Sequence, residues 1–150
     1  MGQIVCFTWG NRGRIIASQN GGPIYALIDE DKDGKYEKAV VYSRKVTNCH
    51  GLLVVGDDVY AVGSGPDGST GVHVLPDRDH DDKADEVRQL NRTKGGIGEH
   101  GPHDVVLGPD GWLYHNLGNH AWITNKPEPQ SPAHLYEEGN LLTPPFEDAN

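Results

Sequence analysis

Apolar and polar residues alternate along this chain in short runs punctuated by Gly, Pro and Asp. Ile24-Tyr25-Ala26-Leu27-Ile28, Leu52-Leu53-Val54-Val55, Val59-Tyr60-Ala61-Val62 and Val72-His73-Val74-Leu75 have the length and residue types of strands. Gly56-Asp57-Asp58 and Gly108-Pro109-Asp110-Gly111 separate neighbouring strands with hairpin-turn chemistry. No stretch of about 12 or more residues carries helical periodicity, so the pattern predicts an all-β chain.

The runs recur with a period. Asp29 to Glu37 reads Asp-Glu-Asp-Lys-Asp-Gly-Lys-Tyr-Glu, and 48 residues later Asp77 to Asp85 reads Asp-Arg-Asp-His-Asp-Asp-Lys-Ala-Asp. The same offset relates Tyr25 to His73 in the strands that precede these segments. A second apolar stretch follows each, Lys38 to Tyr42 and Glu86 to Leu90. Gly13 to Ser18, Asp58 to Gly63 and Gly111 to Asn116 each open on a turn residue and continue as a short strand. One period thus holds about four short antiparallel strands, the arithmetic of a β-propeller blade. A β-sandwich also shows turns at such intervals, but without the 48-residue self-similarity.

The expected architecture is a partial β-propeller over residues 1–150, about three four-stranded antiparallel blades with Gly/Pro/Asp turns. A closed ring takes about four blades or more, so the chain reads as an excerpt of a larger propeller whose remaining blades complete it. Leu141 to Asp148 reads as a strand without a partner.

Composition narrows the function. The net charge is −9, which argues against a nucleic-acid binder, since phosphate recognition needs a clustered positive surface. No apolar run is long enough to span a membrane, and because Met1-Gly2-Gln3 leads straight into Ile4-Val5-Cys6-Phe7, no signal peptide is expected. Cys6 and Cys49 form no CxxC motif and read as two buried thiols, although a pair across a sheet is also open to them. Gly63-Ser64-Gly65-Pro66-Asp67-Gly68 imitates the dinucleotide fingerprint, but a strand follows it, so no helix N-terminus cradles an anion.

The acidity is local, since the two repeated segments with Glu86 hold 11 of the 22 acids. Carboxylates at alternating positions of a tight loop converge on a hard cation, which takes about six to eight oxygens. The expected ligands of structural Ca²⁺ are Asp29, Asp31, Asp33 and Glu37 in the first loop, and Asp77, Asp79, Asp81 and Asp85 in the second. Gly34 at the sharp turn suits the first loop better than Asp82 suits the second. Val40 and Arg88 stand at position 12, so neither is an EF-hand. The other reading is a pair of solvated acidic turns.

Five of the eight histidines fall between residues 100 and 134, and Gly98-Glu99-His100-Gly101-Pro102-His103-Asp104 is the densest stretch. Gly and Pro place these histidines on a loop, where a neutral imidazole can act as general base or can brace the loop by bonding to backbone. The spacing of His100, His103, His115 and His120 also imitates a zinc finger, but the latter two flank a strand rather than lie on a helix. Residues 98 to 120 resemble the signature of the soluble quinoprotein glucose and sorbosone dehydrogenases, and are closer still to the large dehydrogenase-like propellers of planctomycete-type bacteria.

That resemblance implies a pyrroloquinoline quinone (PQQ)-dependent oxidation of a sugar or alcohol, with His100 as the base that takes the substrate hydroxyl proton. It also implies a periplasmic or secreted parent protein, and quinone-holding Arg and Lys residues in later blades. The family places an Asp after the following strand to orient the His, and here Asn119 stands there. Asn accepts a hydrogen bond but adds no charge to stabilise an imidazolium. The alternative is a non-catalytic, calcium-stabilised propeller that binds carbohydrate or protein.

Overall fold

The computed structural model describes residues 2–124 and 128–131. Strands account for nearly all the regular structure, all pairings are antiparallel, and there is no α-helix among the described residues. No helix among them is long and apolar enough to cross a membrane. The stretch from Leu141 to Asp148 lies outside the described residues.

The first unit is a four-stranded meander, β1 (Ile4–Trp9), β2 (Ile15–Gln19), β3 (Ile24–Ile28) and β4 (Lys38–Ser43), paired in that order. The second repeats it with β5 (Thr47–Val55), β6 (Asp58–Ser64), β7 (Thr70–Pro76) and a two-residue β8 (Arg88–Gln89). Ala17 pairs with Tyr25 in the first unit as Ala61 pairs with His73 in the second. The partners are eight residues apart in one and twelve in the other, so the second unit carries a hairpin loop four residues longer. That loop holds Gly65 to Ser69, the region of the fingerprint-like run, and it leads into β7 rather than a helix.

The third unit departs from expectation. Among the described residues it consists of a hairpin, β10 (Pro102–Leu107) with β11 (Leu113–Leu117). The next strand, β12 (Trp122–Ile123), pairs instead with β9 (Thr93–Lys94), which is joined to β7 at Thr70. The stretch after β11 is therefore drawn back to the second sheet, and a four-stranded third unit is not present among the described residues.

Strand alternation sends one face of each sheet to the next unit. Ile16, Ile24, Ala26 and Tyr42 of the first unit pack with Leu52, Val59, Ala61 and Leu75 of the second in one apolar cluster. A smaller cluster joins Val62 and Val72 of the second unit to Val105 of the third. A Cβ on Gly51 would lie 2.4 Å from the carbonyl oxygen of His103 and 2.7 Å from Asp104 Cα, so glycine lets β5 and β10 approach backbone to backbone. Cys6 donates its thiol hydrogen to the carbonyl of Cys49 at 3.1 Å. The two are free thiols, each pushed up to about 12 by burial, and so poor nucleophiles at neutral pH.

Two histidines are held neutral inside this framework. Asn91 Oδ1 accepts the N–H of Val72, which turns its amide nitrogen to donate to His115 Nδ1 at 3.2 Å. A proton added at that nitrogen would meet a donor, and burial pushes His115 down to about 4, against a smaller opposing pull from Asp104. Burial also lowers His73, whose ring nitrogens have no side-chain partner. The unfolded chain takes up these protons near pH 6.5, whereas His115 in the folded chain resists until about 4. Their contribution to stability is full above the unfolded value and is lost as pH falls through this window. Urea unfolding should show stability falling by about 2 kcal/mol between neutral pH and pH 4.5, with a shallower slope in His115→Leu. Parallel slopes in the two proteins would contradict the assignment.

Candidate functional site

The acidic loops repeat at the level of single hydrogen bonds. In the first, Asp31 Oδ1 accepts the N–H of Asp33, Asp33 Oδ1 accepts that of Lys35, and Glu37 Oε2 accepts that of Glu30. In the second, Asp79, Asp81 and Asp85 accept the N–H groups of Asp81, Lys83 and Arg78 in the same pattern. Lys35 Nζ donates to Asp33 Oδ2 at 2.7 Å, and Lys83 Nζ to Asp81 Oδ2 at 2.8 Å. These ammonium groups lower the pKa of Asp33 and of Asp81. Positive φ falls at equivalent places, Lys32 (63°) with His80 (62°) and Gly34 (91°) with Asp82 (67°).

Ligand oxygens of Asp29, Asp31, Asp33 and Glu37 all lie within 4.8 Å of one another, and those of Asp77, Asp79 and Asp81 do the same. Ca–O bonds of about 2.3–2.6 Å put opposite ligands roughly 5 Å apart, so both sets have the span of a calcium cage. Asp85 is not brought into the second set. Its side chain is one methylene shorter than that of Glu37, and its Oδ2 accepts the N–H of Arg78. The sequence ranks Gly34 above Asp82 as a residue for the sharp turn. Asp82 nonetheless adopts the left-handed conformation, and its carboxylate has a use of its own.

That use is a clamp between units, built on residues the sequence reading passed over. A 3-10 turn at Asn11–Gly13 follows β1 and presents Arg12, which donates to Asp77 Oδ2 at 2.9 Å and to the carbonyl of His80 at 3.0 Å. Arg14 forks onto both oxygens of Asp82, through Nε to Oδ1 and through Nη2 to Oδ2 at 2.8 Å. Asn11 Nδ2 donates to the carbonyl of Gly56, and His80 bonds Asp57 Oδ1 at 2.9 Å. The second acidic loop is thus tied to the first unit, while the first loop has no such partner in Arg12 or Arg14. Asp29 fills both its oxygens with the N–H groups of Lys32 and Gly34, whereas Asp77 Oδ1 is buried without a hydrogen-bond donor.

The histidine loop sits at the mouth of the β10–β11 hairpin. Gly118 N donates to the carbonyl of Gly101 and His120 N to that of His100, at 2.8 and 3.0 Å. A Cβ on Gly118 would stand 2.4 Å from the His100 carbonyl oxygen, so the tight closure needs glycine there. His100 Nδ1 donates to Asn119 Oδ1 at 2.9 Å, which leaves Nε2 with the lone pair. The ring of His120 lies 4.8 Å from that of His100. His103 is anchored through Nε2 to the carbonyl of Glu99 at 2.8 Å, and its ring stands 5.8 Å from that of His50. His50 is lowered by burial and, secondarily, by His103.

The finger-like spacing does not gather its four histidines. His115 lies inside β11 with Asn91, while His100 and His103 belong to different ring pairs. Among the described residues, the groups of three or more metal-ligating side chains are the two acidic loops.

A family described as a domain of unknown function (DUF7133) matches residues 5–134. No curated protein matches the chain.

Proposed function

The chain belongs to the DUF7133 family, and we propose that it contributes consecutive blades to a β-propeller of the quinoprotein sugar or alcohol dehydrogenase kind, with His100 as the base that deprotonates a substrate hydroxyl. The observation that carries this reading is the 2.9 Å bond from His100 Nδ1 to Asn119 Oδ1, at the position where the resembling dehydrogenases use an Asp. It fixes the tautomer and leaves an exposed Nε2 able to take a proton. Asn119 orients the ring and, being neutral, adds no charge beside it.

PQQ supplies the hydride acceptor when bound. Its carboxylates call for Arg or Lys, and the described contacts of the His100 loop are Asn119, His120, His50 and backbone groups, with neither among them. This loop therefore offers the base and not the quinone's cradle. Dye-linked oxidation with added quinone, run on the full-length polypeptide across a panel of aldoses, polyols and simple alcohols, tests the reading. Turnover of at least one polyhydroxylated substrate is expected, and none on the whole panel would overturn it.

A second reading is favoured by a separate observation, the set of hydrogen bonds that the two acidic loops share and the buried, donor-free Oδ1 of Asp77. In it the loops bind structural Ca²⁺, with Asp29, Asp31, Asp33 and Glu37 holding one ion and Asp77, Asp79 and Asp81 another. A ligand at a hundred times its Kd stabilises by about 2.7 kcal/mol, which in a domain of this size raises Tm by roughly 5–10 °C. Thermal melts in Ca²⁺ and then in excess chelator should differ by that much, and Asp31→Asn with Asp79→Asn should shrink the difference. An unchanged midpoint removes calcium from the account.

A further inference from the structure

The second acidic loop shares one of its carboxylates with a cation from another unit. In the first loop, Asp29 accepts the N–H groups of Lys32 and Gly34 on its two oxygens. Asp77, 48 residues on, turns Oδ2 to Arg12 Nη2 at 2.9 Å, and its Oδ1 is buried without a donor. Asp77 is only 5 % exposed, so bulk solvent does not satisfy that oxygen. A buried carboxylate oxygen left in this way is destabilising until a cation or a donor meets it. A ligand oxygen of Asp77 lies within 4.8 Å of those of Asp79 and Asp81, which puts the orphaned group among the residues that would hold an ion.

Arg12 is fixed beside this group by several contacts. Nη1 donates to the carbonyl of His80 at 3.0 Å, inside the same loop, and Nη2 stands 3.5 Å from Asp82 Oδ1. Its backbone takes a φ of 61°, a left-handed value uncommon for a long side chain. A calcium ion on Asp77 Oδ1 would share one carboxylate with this guanidinium, so charges of +2 and +1 would stand roughly 6 Å apart. Repulsion at that separation persists even through solvent. The ammonium of Lys83 on Asp81 is exposed and free to swing away, whereas Arg12 is held in place.

We infer that Arg12 sets the calcium affinity of the second acidic loop: as the resident counter-cation of Asp77, it weakens binding of an ion by Asp77, Asp79 and Asp81 while it ties the loop to the first unit. This deepens the calcium reading of the loops, on which it rests, and is independent of any role of His100. Linkage makes the effect reciprocal, so whatever factor Arg12 removes from calcium affinity, calcium removes from the Arg12 bond.

The test is titration of the chelator-stripped full chain with Ca²⁺ by calorimetry, in an Asp31→Asn background that weakens the first loop. Arg12→Gln keeps a donor for Asp77 without the charge, and Arg12→Lys keeps the charge without the fork. Arg12→Gln is expected to bind Ca²⁺ about tenfold more tightly, and Arg12→Lys to stay within about threefold of the parent. Adding Asp79→Asn to Arg12→Gln should abolish the gain, which assigns it to the second loop. Unchanged or weaker binding in Arg12→Gln, or a Lys variant that binds as tightly as the Gln variant, would overturn the inference and leave Arg12 as a positioning residue alone. Circular dichroism reports folding: if Arg12→Gln unfolds in chelator, Ca²⁺ should refold it, and failure to do so also overturns the inference. Absence of Ca²⁺ binding in the parent and every variant would overturn the calcium reading itself, an outcome distinct from binding that ignores Arg12.

Discussion

Arg14→Met destabilises the chain by about 2–3 kcal/mol, read as a lower urea midpoint at unchanged slope. Arg14 and Asp82 are largely enclosed where the second acidic loop meets the first unit, and the guanidinium covers both carboxylate oxygens. Removing the cation leaves Asp82 beside Asp77 in a poorly solvated place. The cost stays below the roughly 3–5 kcal/mol of a fully buried pair, because Arg12 remains 3.5 Å from Asp82 and solvent reaches the edge of the clamp. The first loop indicates the control. Asp82→Gly installs the residue that Gly34 supplies there, removing the orphaned charge and easing the positive φ together. Arg14→Met in that background should cost less than 1 kcal/mol, the difference being the coupling within the pair. Equal losses in the two backgrounds would show that Arg14 acts through packing of its stem alone.

The same residues mark where sequence reasoning reached and where it stopped. The acidic loops were legible because their geometry is local: alternating carboxylates bond backbone N–H groups two residues on, so spacing alone dictates the turn. The pairing of Tyr25 with His73 as equivalents held for a similar reason, since strand register follows from alternation and turn length. Asn119 could be placed opposite His100 only through a family resemblance, and their bond joins residues 19 apart.

The clamp was invisible to spacing. Arg12 and Arg14 meet Asp77 and Asp82 across 65 and 68 residues, and nothing in the run Asn-Arg-Gly-Arg signals a distant partner. Asp82 therefore read only as the less suited turn residue, when it is one half of an inter-unit bond. Asp85 was assigned as a ligand from residue type, and it stands outside the oxygen cluster of Asp77, Asp79 and Asp81. The third unit was extrapolated from the first two, whereas β12 finds a free edge at β9 before it can extend the β10–β11 hairpin.

The central claim concerns a single nitrogen, and one rate tests it. An oriented general base contributes about 10²–10⁴-fold, so His100→Ala should lower kcat/KM for dye-linked substrate oxidation by that factor. The backbone closure that holds the loop runs through Gly101, Gly118 and His120 and does not depend on the His100 side chain, so the fold should survive the substitution. The measurement is kcat/KM for the full-length wild type and His100→Ala on the best substrate of the panel, each saturated with quinone. A loss of 10²–10⁴-fold is the result this account predicts; a His100→Ala enzyme that turns over at the wild-type rate would contradict it.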